Sequence, residues 1–131
     1  MTATAKVEAS LDNKVAVTSS DAEDSSFASL GASLAEIRKL KGVVGYIMRS
    51  STSAVLDIPD RERISPCALL SYQLHESCLD IAKQLSIAEI ESVLVEGGSM
   101  KVLFVKIGEN KISVFMEKTA NHMWIIKRIL L

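Results

Sequence analysis

A chain of 131 residues is long enough for one domain with a sizeable hydrophobic core. Its 15 basic and 16 acidic residues leave a net charge of −1, and its few aromatic residues are not interleaved with basic clusters, which argues against nucleic acid or an anionic membrane as a partner. We see no signal peptide and no apolar run of about 18 residues, so we expect a soluble, cytoplasmic protein that does not insert into membranes.

The first 26 residues differ in composition from the rest of the chain. They are rich in Ala, Ser, Thr, Val and Asp, and they carry five acidic residues against two lysines. Because no apolar period is sustained there, the pattern predicts a flexible N-terminal tail over residues 1–26 and one folded domain over residues 27–131.

A helix and a hairpin are predicted next. From Phe27 to Leu40 the apolar residues recur every three or four positions, and Gly42 is typical of the cap that ends a helix. Residues 43–49 and 54–58 are rich in β-forming residues, and the small polar residues between them predict a hairpin. Residues 59–63 form a charged connection to the following helix.

The longest helical pattern runs from Ser65, a predicted N-cap, through Pro66 to Leu85. Its apolar residues form two neighbouring stripes, where a single core contact needs only one. The first stripe is predicted to face the core and consists of Cys67, Leu70, Leu74, Cys78, Ile81 and Leu85. The second is predicted to form a dimer interface and consists of Ala68, Tyr72, His75 and Leu79. The remaining arc, predicted to face water, carries Leu69, Gln73, Glu76, Asp80, Lys83 and Gln84.

Three β-rich segments and a last helix complete the chain. Residues 90–96, 100–107 and 111–117 are separated by glycine turns and predict an antiparallel meander. The middle segment is apolar on both faces, so we expect it in the centre of the sheet. The last helix is predicted from about Ala120. The predicted fold class is α/β, a five-stranded antiparallel sheet with one long central helix on one face and the two terminal helices on the other.

A family resemblance covers nearly all of the chain from Leu30 onward. It is carried by the run LAEIRKLKGVVGYIMRSSTSAVLDI, by the long amphipathic helix and by the run ESVLVEGGSMKVLFVKIGENKISVFME. These segments resemble the Roadblock, or dynein light chain Roadblock, family, and in particular its MglB-type small-GTPase regulators of bacteria and archaea. The resemblance implies a Roadblock/longin-like fold and homodimers in which the central helices pack antiparallel and the strand after that helix pairs with its mate.

The resemblance also implies a role. Such a homodimer is expected to bind a Ras-like small GTPase, as an activator of GTP hydrolysis or as a scaffold that localises the GTPase. The alternative is a structural subunit of a larger motor or polarity complex, and a binding module for a small ligand comes third. We expect the GTPase to dock on the solvent-facing arc of the paired helices, where Leu69 is a lone apolar anchor among polar residues. The predicted docking residues are Leu69, Gln73, Glu76, Asp80 and Lys83.

Metal and nucleophile chemistry is weakly supported by the sequence. His75 and Cys78 have an H-x-x-C spacing that gives two ligands, whereas a zinc site needs three or four. Cys67 and Cys78 lie about 16 Å apart along the predicted helix, too far for a disulfide, and nothing marks either as an activated thiol. We therefore expect a protein that is not an enzyme and holds neither metal nor cofactor.

Two further segments have ordinary interpretations. Residues 97–99 form a glycine turn between strands, and a phosphate-binding loop would instead open a helix. Arg61 and Arg63 have the chemistry of an arginine finger for phosphoryl transfer, but the favoured interpretation is a solvated loop.

Overall fold

The computed structural model describes residues 14–17, 21–87 and 90–130, with side chains from residue 27 onward. Six strands and three helices lie within these ranges. In chain order they are β1 (Lys14–Val17), α1 (Asp21–Arg38), β2 (Val43–Arg49), β3 (Ala54–Asp57), α2 (Arg61–Leu85), β4 (Ser92–Glu96), β5 (Met100–Ile107), β6 (Asn110–Glu117) and α3 (His122–Leu130).

All six strands form one sheet in the order β1-β3-β2-β6-β5-β4, and every neighbouring pair is antiparallel. The hairpin β2–β3, the meander β4–β5–β6 and the three helices are the predicted elements, so the predicted fold class is confirmed. β1 is an additional strand at one edge, where it pairs with β3. β4 forms the other edge.

Two hydrophobic layers cover the two faces of the sheet. Side chains alternate along a strand, so Tyr46 and Met48 of β2 join the layer beneath α1 and α3, while Ile47 joins the layer beneath α2. The same alternation places Leu103 of β5 in the first layer and Phe104 in the second, both almost fully buried. The prediction that β5 is covered on both faces is confirmed, but β5 lies second from the β4 edge and not in the centre of the sheet.

The predicted flexible tail does not hold for the part of residues 1–26 that is described. Lys14 stands opposite Asp57 and Val17 opposite Ala54 in the β1–β3 ladder. Helix α1 begins at Asp21, before the predicted start at Phe27. A four-residue strand is too short to display a period, and its ladder depends on a distant partner. Residues 1–13 and 18–20 lie outside the described residues, and the domain boundary stays a prediction.

The start of α2 also differs from its prediction. Asp60 is the N-cap and accepts a hydrogen bond from the backbone N–H of Glu62 at 3.1 Å, so the helix begins at Arg61 and Pro66 lies inside it. Ser65 and Asp60 are both good capping residues, which is why the sequence pattern alone chose the wrong one. The proline is tolerated because the bond it omits is close to the exposed end of the helix.

The glycines of the α1–β2 junction are required by close contacts. Gly42 has φ of +91°, and a Cβ there would lie 3.2 Å from the Cβ of Ala120. At Gly45 a Cβ would lie 2.6 Å from the carbonyl oxygen of Asp57 and 2.8 Å from Cγ1 of Ile58. The chain segment that leads into α2 is thereby held tightly against β2.

Candidate partner-binding surfaces

Helix α2 contacts the sheet through small and medium-sized side chains. The buried ones are Cys67, Ser71, Leu74, Cys78 and Ala82. The Oγ atoms of Ser71 and Ser113 of β6 lie 2.8 Å apart, and both residues are buried. This hydroxyl pair satisfies two polar groups that would otherwise be costly between helix and sheet.

The predicted core stripe of α2 was partly wrong. Ile81 and Leu85 are 45% and 65% exposed, whereas Ser71 and Ala82 are buried in their place. A helical wheel groups apolar residues, but it does not reveal that the side closest to the sheet is occupied by small residues. The true contact stripe is rotated away from Ile81, whereas Leu85 is in line with Cys78 of that stripe and is exposed as the last residue of the helix.

One flank of α2 lies toward strand β2, and we call it the β2 flank. It carries the four residues predicted as a dimer interface, Ala68, Tyr72, His75 and Leu79. The first three are half-buried against their own sheet, and the His75 ring lies 6.2 Å from the ring of Phe104. Leu79 is 47% exposed. The interface role of these residues stays a prediction.

The opposite flank lies toward strand β4, and we call it the β4 flank. Leu70 lines an open groove of about 400 Å³ together with Val95 of β4 and Met100 of β5. Ile81 lies on the same side of α2, about three turns beyond Leu70, while Leu85 ends the helix nearly in line with the buried Cys78. Beside the groove β4 is the edge strand, so one side of its backbone has no neighbour in the described sheet. The β4 flank therefore combines exposed aliphatic side chains with an open strand edge.

The outer surface of α2, away from the sheet, carries the five residues predicted to bind a partner. All five are exposed: Leu69, Gln73, Glu76, Asp80 and Lys83. Leu69 is 56% exposed and is the apolar centre of this surface. Its docking role stays a prediction.

A group that the sequence reasoning missed lies under the β2 flank. Arg49 at the end of β2 is opposite Lys111 of β6, and Lys111 is opposite Lys106 of β5. Burial is the main cause that lowers the pKa of Arg49 and of Lys111. Burial also lowers the pKa of His75, with Lys111, Arg49 and Lys106 acting in the same direction. The signal was hidden because the three cations are far apart in sequence and only the strand register aligns them.

The remaining candidates have structural roles. Burial raises the pKa of the Cys67 and Cys78 thiols, which keeps both protonated, and no cluster of three or more His, Cys, Asp or Glu suited to a metal occurs among the described residues. Arg63 contacts Asp60 at 3.4 Å and donates to Sδ of Met100. The Gly97 N–H donates to the Met100 carbonyl, which closes the predicted turn.

Within the described ranges no helix is long and apolar enough to cross a membrane.

An antiparallel sheet with one long helix on one face and two helices on the other defines a fold class, the Roadblock fold. The gliding protein MglB from Thermus thermophilus matches with a TM-score of 0.65 and 14% identity over 86% of each chain. Myxococcus xanthus MglB matches with a TM-score of 0.61 and 15% identity, covering 79% of this chain and 87% of that one. The Roadblock/LC7 domain from Streptomyces avermitilis matches with a TM-score of 0.61 and 10% identity, covering 76% of this chain and 84% of that one.

These likenesses confirm the fold to which the sequence resemblance pointed. At such low identity they show the fold alone. No protein-family model matches the chain, and no curated protein matches it in sequence.

Proposed function

We propose that this protein is a homodimeric regulator or scaffold that binds a Ras-like small GTPase in the cytoplasm. The observation that carries the proposal is the shared Roadblock fold, in which two faces of the long helix α2 remain uncovered by the described residues of its own chain. A surface helix of a self-sufficient monomer would show one core stripe and polar residues elsewhere. Here the β4 flank and the outer surface both carry exposed leucine or isoleucine.

The β4 flank suits a second copy of the chain. Two copies related by a two-fold axis would present the same patch to each other, so that β4 pairs with β4 and the two α2 helices run antiparallel. Such pairing satisfies the open edge of β4 and buries Val95 with the groove beside Leu70, and Ile81 lies farther along the same side of α2. Burying each large aliphatic side chain fully contributes about 1.5–3 kcal/mol.

The outer surface suits the GTPase. In the proposed dimer the surface around Leu69 occurs twice, on two adjacent helices. A single GTPase that crosses the two-fold axis covers both copies, which gives two of these chains per GTPase. Glu76, Asp80 and Lys83 surround the leucine with charge, as in the polar rim of a transient interface.

Retention of a Ras-like GTPase from the same genome, loaded with GTP or with GDP, tests the proposal. Leu69→Arg combined with Glu76→Arg should abolish retention. Leu69→Arg alone should change the free energy of unfolding by only about 0.5 kcal/mol because Leu69 is exposed, whereas Glu76→Arg also removes an anion that acts on Arg49. The matched control is Met123→Arg on α3, a residue 55% exposed on the other side of the sheet. Wild-type levels of GTPase retention by the folded double variant would show that the docking surface is not on α2.

The same assay separates the two modes of regulation. A regulator that activates hydrolysis should raise the rate of GTP turnover by the GTPase, whereas a localising scaffold should retain the GTPase and leave that rate unchanged. Binding that discriminates between GTP and GDP supports either mode.

A structural subunit of a larger motor or polarity complex is the second candidate. It is favoured by exposed apolar residues on α3, where Met123, Trp124 and Leu130 are each more than two-fifths exposed. This surface faces away from α2 and offers a separate site for another subunit. Retention of an assembly partner that depends on α3 and is indifferent to nucleotide would favour this candidate.

A further inference from the structure

Three cations stand side by side at one end of the sheet, and we call them the basic row. Arg49, Lys111 and Lys106 occupy directly opposed positions on the adjacent strands β2, β6 and β5. All three share the sheet face of Ile47 and Phe104, which is the face that α2 covers. Since neighbouring strands lie about 4.8 Å apart, the basic row spans only about 10 Å at the backbone.

The three cations of the basic row repel one another. Like charges directly opposite each other on a sheet destabilise it. All three residues are half-buried, so water screens them incompletely. Burial and the neighbouring cations lower the pKa of Lys111, with Glu109 opposing. The carboxylate of Glu76 raises the pKa of Arg49, but burial lowers it by more, so the pKa of Arg49 is lowered.

One nitrogen atom of the basic row is a buried hydrogen-bond donor without an acceptor among the described residues. Nη2 of Arg49 is buried and meets no hydrogen-bond acceptor in the described part of the chain. Buried donors in native proteins are nearly always satisfied, so such an atom calls for a partner. A guanidinium at this position is suited to a multi-oxygen anion, which can accept several of its fixed N–H groups at once.

Helix α2 places two more polar side chains over the basic row. His75 lies within electrostatic range of all three cations, and Tyr72 lies within range of Arg49. The ring of His75 and the hydroxyl of Tyr72 therefore approach from the helix side, while the cations approach from the sheet. We propose that this arrangement is a binding site for a phosphoryl group, held by Arg49, Lys111 and Lys106 with His75 above them.

A phosphoryl group fits better than a single carboxylate because it brings more negative charge and more acceptor oxygens to a row of three cations. The site goes beyond the proposed GTPase role. The basic row runs from β2 through β6 to β5, one strand in from the β4 edge, and pairing of β4 with β4 uses none of its residues. No residue of the basic row belongs to the docking surface, although Glu76 of that surface acts on Arg49. Loss of GTPase binding in Leu69→Arg alone would therefore leave this proposal untouched.

Thermal unfolding with inorganic phosphate, pyrophosphate or chloride at equal ionic strength tests the site. Phosphate and pyrophosphate should raise the melting temperature of the wild type in a saturable manner, and chloride should not. Lys111→Gln should weaken the affinity for pyrophosphate about tenfold, as expected for the loss of one charge-assisted hydrogen bond. Arg49→Gln should weaken it at least as much.

The matched control is Lys127→Gln, which removes an exposed lysine from α3 on the opposite side of the sheet. Misfolding is excluded as a cause because removing one of three adjacent like charges should leave the anion-free variant at least as stable as the wild type. Equal stabilisation by chloride would overturn the proposal. Equal losses in Lys111→Gln and Lys127→Gln would also overturn it.

The source of the phosphoryl group is distinguished by a second measurement. The protein is sedimented with phosphatidylcholine vesicles that either contain or lack a phosphatidylinositol phosphate. Retention that needs the phosphoinositide and is lost in Lys111→Gln assigns the site to a lipid headgroup. Pyrophosphate binding without such retention assigns it to a soluble phosphorylated ligand. The site does not exist as proposed if neither probe binds.

Discussion

The two flanks of α2 belong to one helix, yet they differ in the residues they expose. The β4 flank presents aliphatic side chains next to an open strand edge. The β2 flank presents a half-buried tyrosine and histidine over three cations. Apolar surface beside free backbone groups suits an extensive contact with another protein chain, whereas convergent cations suit a compact anion. The comparison teaches that the strand beneath each flank, rather than the helix alone, determines what the flank can bind.

The largest effect should come from placing a charge on each flank in turn. Ile81 and Leu79 are 45% and 47% exposed, so aspartate at either position should disturb the isolated chain to a similar, small extent. Ile81→Asp should weaken the proposed dimer by about a hundredfold or more, or ~2.8 kcal/mol, because it buries an unpaired carboxylate in the β4 contact. Light scattering over a concentration series measures the effect.

Leu79→Asp serves as the matched control in that experiment. It should remain dimeric if the copies meet through the β4 flank. A dimeric Ile81→Asp together with a monomeric Leu79→Asp would instead place the interface at the stripe of Ala68, Tyr72, His75 and Leu79. A wild-type protein that is monomeric at micromolar concentration would exclude both interfaces.

An intermediate effect should come from the hydroxyl pair between the two flanks. Ser71→Ala leaves the Ser113 hydroxyl buried without its partner and should lower the free energy of unfolding by about 1–3 kcal/mol. Replacing both serines by alanine should recover part of that loss, because neither polar group is then buried unsatisfied. Urea denaturation of the two variants measures the difference. A double variant much less stable than Ser71→Ala would show that packing, rather than the hydrogen bond, dominates this contact.

The smallest effect should be a pH dependence that originates on the β2 flank. Burial, with help from Lys111, Arg49 and Lys106 and against Glu76, lowers the pKa of His75 below its usual 6.5. As the pH falls below about 6.5, the unfolded chain takes up a proton at this histidine that the folded chain does not, so the free energy of unfolding falls. Above that pH the contribution is constant.

The measurement is the free energy of unfolding between pH 7 and the pKa of the folded state, in wild type and in His75→Gln. The variant should lose the part of the acid destabilisation that comes from this residue. Saturating phosphate should reduce the same part in the wild type, because an anion on the basic row favours the protonated ring. Identical slopes in the two proteins would contradict the assignment to His75.

The sequence was sufficient for the fold and much less so for the surfaces. The strands β2 and β5 were predicted with their observed bounds because β-rich runs between glycine or serine turns are a local signal. The start of α2 was missed because two capping residues stand close together and only the backbone geometry distinguishes them. β1 was missed because its ladder with β3 is formed by residues about 40 positions apart, beyond any local period.

The candidate surfaces depended on information of a different kind. Exposure of Leu69 followed from the helical period, which is a property of the helix itself. The exposure of Ile81 could not be predicted from the helical period, because it depends on where the sheet ends and on which small residues of α2 face the sheet. The basic row depended on the register between β2, β6 and β5, and register is a non-local property that no single segment encodes.

In the proposed dimer, the unequal edges of the described sheet would limit how far this protein can polymerise. The outer edge at one end is β1, a strand of four residues, and very short edge strands offer few backbone groups to a neighbour. The other edge is β4, flanked by exposed aliphatic residues. When two copies join β4 to β4, the open backbone edge of each β4 is occupied by the other copy. The combined sheet then ends in a β1 strand on both sides. Growth would therefore stop at two copies in the proposed dimer, whereas β1-to-β4 joining would propagate into a filament.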